Sequence, residues 1–410
     1  MDRLSDIQDL NVKITKYTTM NAMLKKIGCL VVWVLFLVPV MGQGSTEVEV
    51  KGIGVNRSDA LQDAMRNAVG EAIGVALVSE TRVENFMVIQ DAINTRSQGY
   101  IESYTVVRET PMRDNFEIVI RARVSLSPLK ADIGLLAQSV GGIRFLVMYD
   151  DRHLSDEEKV LYEHAAERIN EHLASRRYRY IDRRRFDQLK REALGIYQDS
   201  ETNQETYVQR LGMMADAQFI IFINRINVQS RSEAFDTRTS SKVSVEVRAY
   251  DNCTAEGLGT IVLESDWKSA REAQATILTG IGEAISSDFD RLLGVFTGYI
   301  GDWINNGTPF ELRFYSSGTF RDFRDLRRKI VNDPNFGGQI EVVAFNNYTK
   351  LNVTFRDRAD DLAYRILDYA DELPNFRDKL LDVKFIYGRQ INFAPTHVEV
   401  PEMQLIRSGE

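Results

Sequence analysis

The sequence is poor in residues that form covalent or metal cross-links. It has two cysteines in 410 residues, Cys29 and Cys253, and four histidines. Cys29 lies in an apolar segment that we expect to be removed, so Cys253 would have no partner for an internal disulfide. His164 and His172 share a predicted helix but lie eight residues apart, too far for an i, i+4 metal pair. The fold must therefore be stabilised by its hydrophobic cores.

The sequence also lacks an excess of positive charge. Its formal net charge is −8, which argues against a protein whose whole surface binds nucleic acid. Apolar residues make up 44% of the chain and charged residues 27%, a balance that is typical of folded globular proteins. No low-complexity segment and no repeat of 20–50 residues is present.

One uncharged, mostly apolar run stands near the amino terminus. It extends over fifteen residues from Ile27 to Met41, follows Lys25 and Lys26, and precedes small residues. This pattern predicts a secretory signal peptide over residues 1–42, with a mature chain from Gln43. An uncleaved anchor is the alternative, although fifteen residues are short for a span that needs about 20. Translation could also begin at Met20 or Met23.

Residues 43–135 form the first predicted module, a β-α-α-β-β antiparallel unit. Ser58 is the expected N-cap of its first helix, in which small residues recur every four positions, from Ala60 to Ala72. Such a ridge lets a helix lie close on a sheet. In the last strand, alternation from Phe116 to Val124 predicts one buried face.

Two further modules follow. Residues 142–303 predict a mixed sheet with flanking helices, beginning at the apolar strand IRFLVMYDD and closing with a long helix before residue 303. Residues 308–393 predict a ferredoxin-like β-α-β-β-α-β arrangement. Residues 394–410 contain Pro395 and Pro401 and no periodic pattern, so a loose tail is expected. The predicted fold class is α+β throughout.

The segment Asp91–Val107 predicts a hinge from helix into strand. Gly99 is expected to use the positive φ that glycine tolerates, while Tyr100 and Ile101 enter the core. We assign all three residues a structural role.

No pattern of catalytic residues emerges from the sequence. Gly52 and Gly54 lie between a strand and a helix, as in a phosphate cradle, but neither GxGxxG nor a Walker lysine is present. Cys253 has no predicted base beside it. Acidic pairs such as Glu157-Glu158 are explained by the dipole at a helix start. The prediction is a protein that is not an enzyme and has no cofactor and no metal site.

A basic segment, Arg176–Arg191, is the candidate partner-binding surface. It has eight basic residues and two aspartates, with Tyr178 and Tyr180 among the basic residues, as in surfaces that bind single-stranded nucleic acid. An exported protein does not normally meet nucleic acid. The candidate ligands of this segment are therefore an anionic protein surface, a lipid headgroup or a glycan. A solvated helix face is the alternative. The arginines chosen as candidates are Arg176, Arg177, Arg179, Arg183, Arg184 and Arg185.

Residues 46–129 resemble the amino-terminal domain of the flagellar assembly protein T family. The resemblance rests on GIGVNRSDALQDAMRNAVGEAIGVALVSETRVENF, QDAINTRSQGYIESYTVVRE and FEIVIRARVSLSPL, in that order. The second module is similar to that family's middle domain, and through it to the amino-terminal domain of TolB and to CsgG. The residues that support this similarity are IRFLVMYDD, RYRYIDRRRFDQLKRE and LGMMADAQFIIFINRI. The third module departs from the small β-barrel that the family implies.

The resemblance implies a periplasmic structural protein of the flagellar basal body. Its expected partners are ring or rod proteins, with peptidoglycan as a further candidate, in a multi-copy ring that can contact the outer membrane. An envelope secretion or outer-membrane assembly factor of the CsgG or TolB type is the alternative. A periplasmic enzyme is a third class, which a pocket with converging histidine and carboxylate side chains would favour.

Overall fold

The computed structural model describes residues 44–77, 85–140, 142–197, 204–232, 238–345 and 347–401. The predicted signal peptide, with Cys29, lies outside the described residues. Within the unit Thr46–Glu410, the strands form three sheets, and helices and strands follow one another along the chain without a regular order. The α+β class is confirmed. Within the described ranges, no helix is both long and apolar enough to cross a membrane.

The first sheet has the strand order β1-β3-β2. Its elements are β1 (Ser45–Gly54), α1 (Arg57–Leu77), α2 (Phe86–Asn94), β2 (Ile101–Pro111), β3 (Phe116–Ser125) and α3 (Leu126–Val140). The helix α3 was not predicted from the sequence. Its signal was the helical spacing of four buried residues, namely Leu129, Ile133, Leu136 and Val140.

Two glycines of β1 bring α1 into direct contact with the sheet. A Cβ atom on Gly52 would stand 2.1 Å from the carbonyl oxygen of Ala60, and one on Gly54 would stand 2.3 Å from its amide nitrogen. Ala60, Ala64 and the rest of the small ridge are fully buried, as predicted. Because the helix backbone fills the space above both glycines, the phosphate-cradle alternative has no room.

Asn56, and not Ser58, supplies the side-chain cap of α1. Its Oδ1 accepts a hydrogen bond from the amide of Asp59 at 3.0 Å, and its Nδ2 donates to the carboxylate of the same residue at 2.8 Å. The N-cap prediction was wrong by two residues, because asparagine and serine are equally good caps and the sequence places both before the helix.

The second sheet has the order β4-β5-β6-β7, and β8 pairs with β6. Its strands are β4 (Phe145–Met148), β5 (Phe219–Ser232), β6 (Thr239–Asp251), β7 (Glu256–Glu264) and β8 (Lys268–Ala270). Its helices are α4 (Asp156–Ser175), α5 (Arg183–Tyr197), α6 (Gln204–Met214) and α7 (Ala273–Asn306). β4 and β5 are parallel and the other pairs are antiparallel. Between α4 and α5, Tyr180 forms an isolated parallel bridge with Phe145.

Helices cover both faces of this sheet. Phe219 and Ile221 of β5 belong to the core that contains α4 and α7, while Ile220 and Phe222 belong to the core that contains α5 and α6. The apolar run in β5 follows directly from this double burial, because neighbouring residues of a strand face opposite layers.

The third sheet has the order β10-β11-β9-β13-β12. Its elements are β9 (Thr308–Tyr315), α8 (Phe323–Val331), β10 (Phe336–Ala344), β11 (Tyr348–Phe355), α9 (Ala359–Glu372), α10 (Pro374–Arg377), β12 (Leu381–Tyr387) and β13 (Gln390–Pro395).

This arrangement differs from the predicted ferredoxin-like order. The strand β13 lies between β9 and β12 and runs parallel to β9. It was missed because its polar–apolar alternation covers only four residues, Gln390–Phe393, before Ala394 and Pro395 interrupt it. The expected loose tail begins inside β13, and Val400 is fully buried. Residues 402–410 of that tail lie outside the described residues.

Candidate interaction surfaces

Arg183 of the predicted basic surface is held inside the protein. Its guanidinium donates to the hydroxyl of Tyr149 at 2.8 Å and to Glu163 at 3.2 Å, and lies 5.2 Å from the centre of the Tyr149 ring. It also pairs with Asp187 at 3.2 Å. Only 21% of the Arg183 side chain is exposed, so this arginine joins α5 to α4 and is not free for a partner.

Arg176 is likewise engaged. It forms an ion pair with Asp290 of α7, and its guanidinium lies 5.7 Å from the centre of the Phe289 ring. The imidazole of His172 stacks on the same Phe289 ring, with the two ring centroids 4.8 Å apart. Burial lowers the pKa of this imidazole. These contacts connect the end of α4 to α7.

Three of the six candidate arginines remain available. Arg177, Arg184 and Arg185 are exposed, and their guanidinium groups form no ion pair within the part of the chain that the structure describes. Arg179 is half-buried and is not free. The structure therefore separates the predicted surface into an internal part and an exposed part, and Arg184 and Arg185 are adjacent in the first turn of α5.

Tyr178 is not available to stack on a ligand. It is 3% exposed, and its hydroxyl donates a hydrogen bond of 2.6 Å to the carboxylate of Asp91. Burial raises the pKa of Asp91, and the Tyr178 hydrogen bond and Arg176 oppose that rise. Tyr178 belongs to the core, so the comparison with surfaces that bind single-stranded nucleic acid loses one of its two aromatic groups.

The hinge that follows α2 is built differently from the prediction. Gly99 is exposed, has no positive φ and lies in a 3₁₀ turn, Ser97–Tyr100, with open space around its Cα. The predicted conformation of Gly99 was wrong, because a 3₁₀ turn uses negative φ angles that any residue adopts. Tyr100 is 5% exposed and donates to Asp132 at 2.7 Å, and Ile101 packs against the same core.

An open groove of about 1130 Å³ lies between this hinge and α7. Its charged lining groups are Asp91, Asp290, Asp302, Arg66 and Arg96. Four of them already have partners. Asp91 accepts from Tyr178, Asp290 pairs with Arg176, Arg96 donates to the carbonyl of Gly301 at 3.0 Å, and Arg66 pairs with Asp63. Among the described lining residues, the hydroxyl of Thr95 donates to the carbonyl of Ala92 at 2.6 Å, and no lining hydroxyl is hydrogen-bonded to a lining carboxylate.

Cys253 is buried beside the turn that joins β12 and β13. It is 1% exposed, and burial raises the pKa of its thiol to about 12. A thiol in this environment is protonated and inaccessible. Among the described residues, no group of three or more histidine, cysteine, aspartate or glutamate side chains has the geometry to hold a metal ion.

The most deeply buried ion pair among the described residues joins the second and third sheets. Asp251 at the end of β6 forms an ion pair with Arg389, and the two side chains are 0% and 4% exposed. Tyr299 of α7 donates to the same carboxylate at 2.8 Å, and the Arg389 guanidinium lies 4.5 Å from the centre of the Trp303 ring. Sequence reasoning missed this cluster, since Arg389 stands in a turn-like GRQ that signals exposure.

Comparisons with protein-family models and with curated proteins find no match. Among solved structures, the chain is similar to the hypothetical protein CT253 from Chlamydia trachomatis, at 14% identity and a TM-score of 0.23. That similarity covers 39% of this chain and 97% of the other. A similarity of this size carries no argument about function.

Proposed function

We propose that the chain is an exported, non-enzymatic protein that acts by binding other proteins, as a structural or assembly component of the flagellar basal body. Two features support the proposal. Residues 46–129 resemble the amino-terminal domain of the flagellar assembly protein T family, and residues 142–303 are similar to its middle domain. The predicted partner surface retains three exposed arginines that form no ion pair among the described residues. The second is the observation that carries the binding role.

The exposed arginines identify the kind of partner. Arg184 and Arg185 present two guanidinium groups at the start of α5. The planar shape of a guanidinium group favours bidentate hydrogen bonds to a carboxylate. A ring or rod protein with an acidic surface fits this chemistry. Peptidoglycan, which carries carboxylates on its peptides, is the second candidate ligand of the same surface.

Deletion of the gene in its native host tests the role. We expect loss of swimming, with intact retention of periplasmic proteins and unchanged resistance to detergents. A leaky envelope with normal swimming would support the alternative, an envelope secretion or assembly factor. Fractionation adds a separate test of export, since the mature chain should be periplasmic and should begin at Gln43.

A charge reversal tests the surface. The variant Arg184→Glu/Arg185→Glu should fold normally but be depleted from purified basal bodies, as measured by immunoblot. Arg113→Glu/Arg271→Glu is the matched control, because both arginines are exposed and have no ion pair among the described residues. Arg183 is left unchanged, since its replacement would break the contacts to Tyr149 and Glu163. Equal incorporation of both variants would contradict the assignment.

A further inference from the structure

The strand β10 forms an open edge of the third sheet. It pairs with β11 on one side and stands at the end of the strand order. The amide of Phe345 donates to the carbonyl of Tyr348 at 2.8 Å, so the amide just beyond β10 faces β11. Because amide directions alternate along an antiparallel strand, the amides of Ile340, Val342 and Ala344 point away from β11, towards the open edge.

A groove of about 680 Å³ lies beside this edge. Ile340 and Val342 form its floor on the sheet side, and Phe320, Arg321, Arg324 and Arg327 line the side of α8. Phe320 is 59% exposed, while Ile340 and Val342 are partly covered by the core. Within the described residues, the groove therefore combines backbone groups that no other strand pairs with and apolar side chains that a strand of a partner could cover.

The helix side of the groove is basic. Residues 321–329 contain five basic and two acidic side chains, a net charge of +3, in a chain whose net charge is −8. Arg321 and Arg327 are exposed and form no ion pair within the described ranges. The two acidic groups are already engaged, because Asp322 accepts from the amide of Thr319 at 2.8 Å and Asp325 lies 3.6 Å from Arg324 and Arg328.

Two other edge strands of the described sheets, β2 and β12, are less open to a new strand. In β2 the register shifts twice, and Pro111 stands where no amide can be donated. The register of β12 also shifts, between Val383 and Phe385. The pairing of β10 is regular from Ile340 to Ala344, without proline. This segment has fewer of the devices that block edge pairing.

The charge of α8 disfavours a second copy of the chain as the occupant. Antiparallel pairing of two β10 strands about a two-fold axis would place both α8 helices on the same face, next to each other. Arg321, Arg324 and Arg327 of the two copies would then approach one another, and like charges at such an interface oppose association.

We propose that β10 accepts an extended, acidic segment of another protein as an additional strand. The backbone of that segment would bond to the free groups at Val342 and Ala344, and its carboxylates would meet Arg321 and Arg327. This surface is separate from α5, and the proposal does not depend on the flagellar assignment.

Two labelled peptides test the specificity of the groove. The first is a nine-residue peptide in which glutamate alternates with valine and threonine, and the second has lysine in place of each glutamate. Fluorescence anisotropy with the purified full chain should show that the acidic peptide binds at least about tenfold more tightly. No binding, or equal binding of the two peptides, would overturn the proposal.

Two variants separate strand addition from adsorption by charge. Ala344→Pro removes an outward amide without removing a bond to β11, so it should weaken binding of the acidic peptide about tenfold or more. Arg321→Glu/Arg327→Glu should reverse the preference between the peptides, while Arg184→Glu/Arg185→Glu, the same change on α5, should not. Full binding by Ala344→Pro would overturn strand addition.

A direct measurement covers the case in which Ala344→Pro fails to fold. Hydrogen exchange of the wild-type chain should slow at the amides of Val342 and Ala344 when the acidic peptide is bound. The same amides should exchange at an unchanged rate with the lysine peptide. Unchanged exchange with both peptides would overturn the proposal, whatever the variant does.

Discussion

Asp251 and Arg389 form an ion pair that connects the end of β6 to the turn between β12 and β13. The pair is supported on one side by the hydroxyl of Tyr299 and on the other by the rings of Trp303 and Phe219. Because both charges are removed from water, each depends on the other for its compensation. The contact fixes the β12–β13 hairpin against the second sheet.

Removal of one member of this pair should be strongly destabilising. We expect Arg389→Ala to lower the free energy of unfolding by about 3–5 kcal/mol, because Asp251 is left as a buried, uncompensated charge. Arg321→Ala, at an exposed arginine, should change it by less than about 0.5 kcal/mol. Urea unfolding followed by circular dichroism measures both. A cost below about 1 kcal/mol for Arg389→Ala would contradict the burial argument.

The contact between β1 and α1 should tolerate no side chain at Gly52. A Cβ atom there would stand 2.1 Å from the Ala60 carbonyl, so Gly52→Ala must displace the helix and should cost about 1–3 kcal/mol or more. Gly99→Ala is the matched control, with open space and no positive φ, and should be neutral or stabilise by about 0.4–1 kcal/mol. Equal effects on the unfolding midpoint would show that α1 does not rest on β1 as described.

The thiol of Cys253 should be inert in the folded protein. Burial raises its pKa to about 12 from 9.0, which lowers the thiolate fraction about a thousandfold at neutral pH. We expect iodoacetamide to label Cys253 at least about a thousandfold more slowly in buffer than in concentrated urea. Mass spectrometry of the peptide that contains Cys253 follows this residue alone. Rapid labelling of the native chain would show that the turn at residues 388–389 opens.

Periodicity predicted the elements of this protein well where one face of each element is buried. The alanine ridge of α1 and the alternation in β3 are examples, because each pattern records the side that faces the core. Prediction failed where the pattern was short or local chemistry was ambiguous. In β13 the alternation of Gln390 and Asn392 with Ile391 and Phe393 covers only four residues, and Asn56 and Ser58 are equivalent caps by residue type.

The candidate surface shows a different limit. A sequence lists arginines but not the carboxylates that other elements bring to them. Arg183 and Arg184 are neighbours, yet Arg183 meets Tyr149 and Glu163, which lie 34 and 20 residues away in sequence, while Arg184 faces solvent. The edge of β10 was hidden for the same reason, since strand order is a property of the whole sheet and not of any segment.

The contact between Asp91 and Tyr178 predicts a pH dependence of stability. Burial raises the pKa of Asp91 in the folded state above its ordinary value of 3.8. Between pH 3.8 and the folded-state pKa, the folded state therefore binds more protons than the unfolded state. Stability should therefore fall as the pH rises through that window and should level off above the folded pKa. Asp91→Asn, which can still accept the Tyr178 hydrogen bond, should remove this fall. The free energy of unfolding of Asp91→Asn should therefore increase relative to that of the wild type as the pH rises from about 3 to about 8.

Tyr178→Phe provides the opposing variant for this window. The Tyr178 hydroxyl stabilises the ionised carboxylate, so its loss should raise the pKa of Asp91 further and extend the fall in stability to higher pH. In the double variant Asp91→Asn/Tyr178→Phe the extension should disappear, because no carboxylate remains at position 91. Urea unfolding at intervals across the same pH range measures all four proteins. Identical pH profiles for the wild type and Tyr178→Phe would show that the hydroxyl does not stabilise the charge of Asp91.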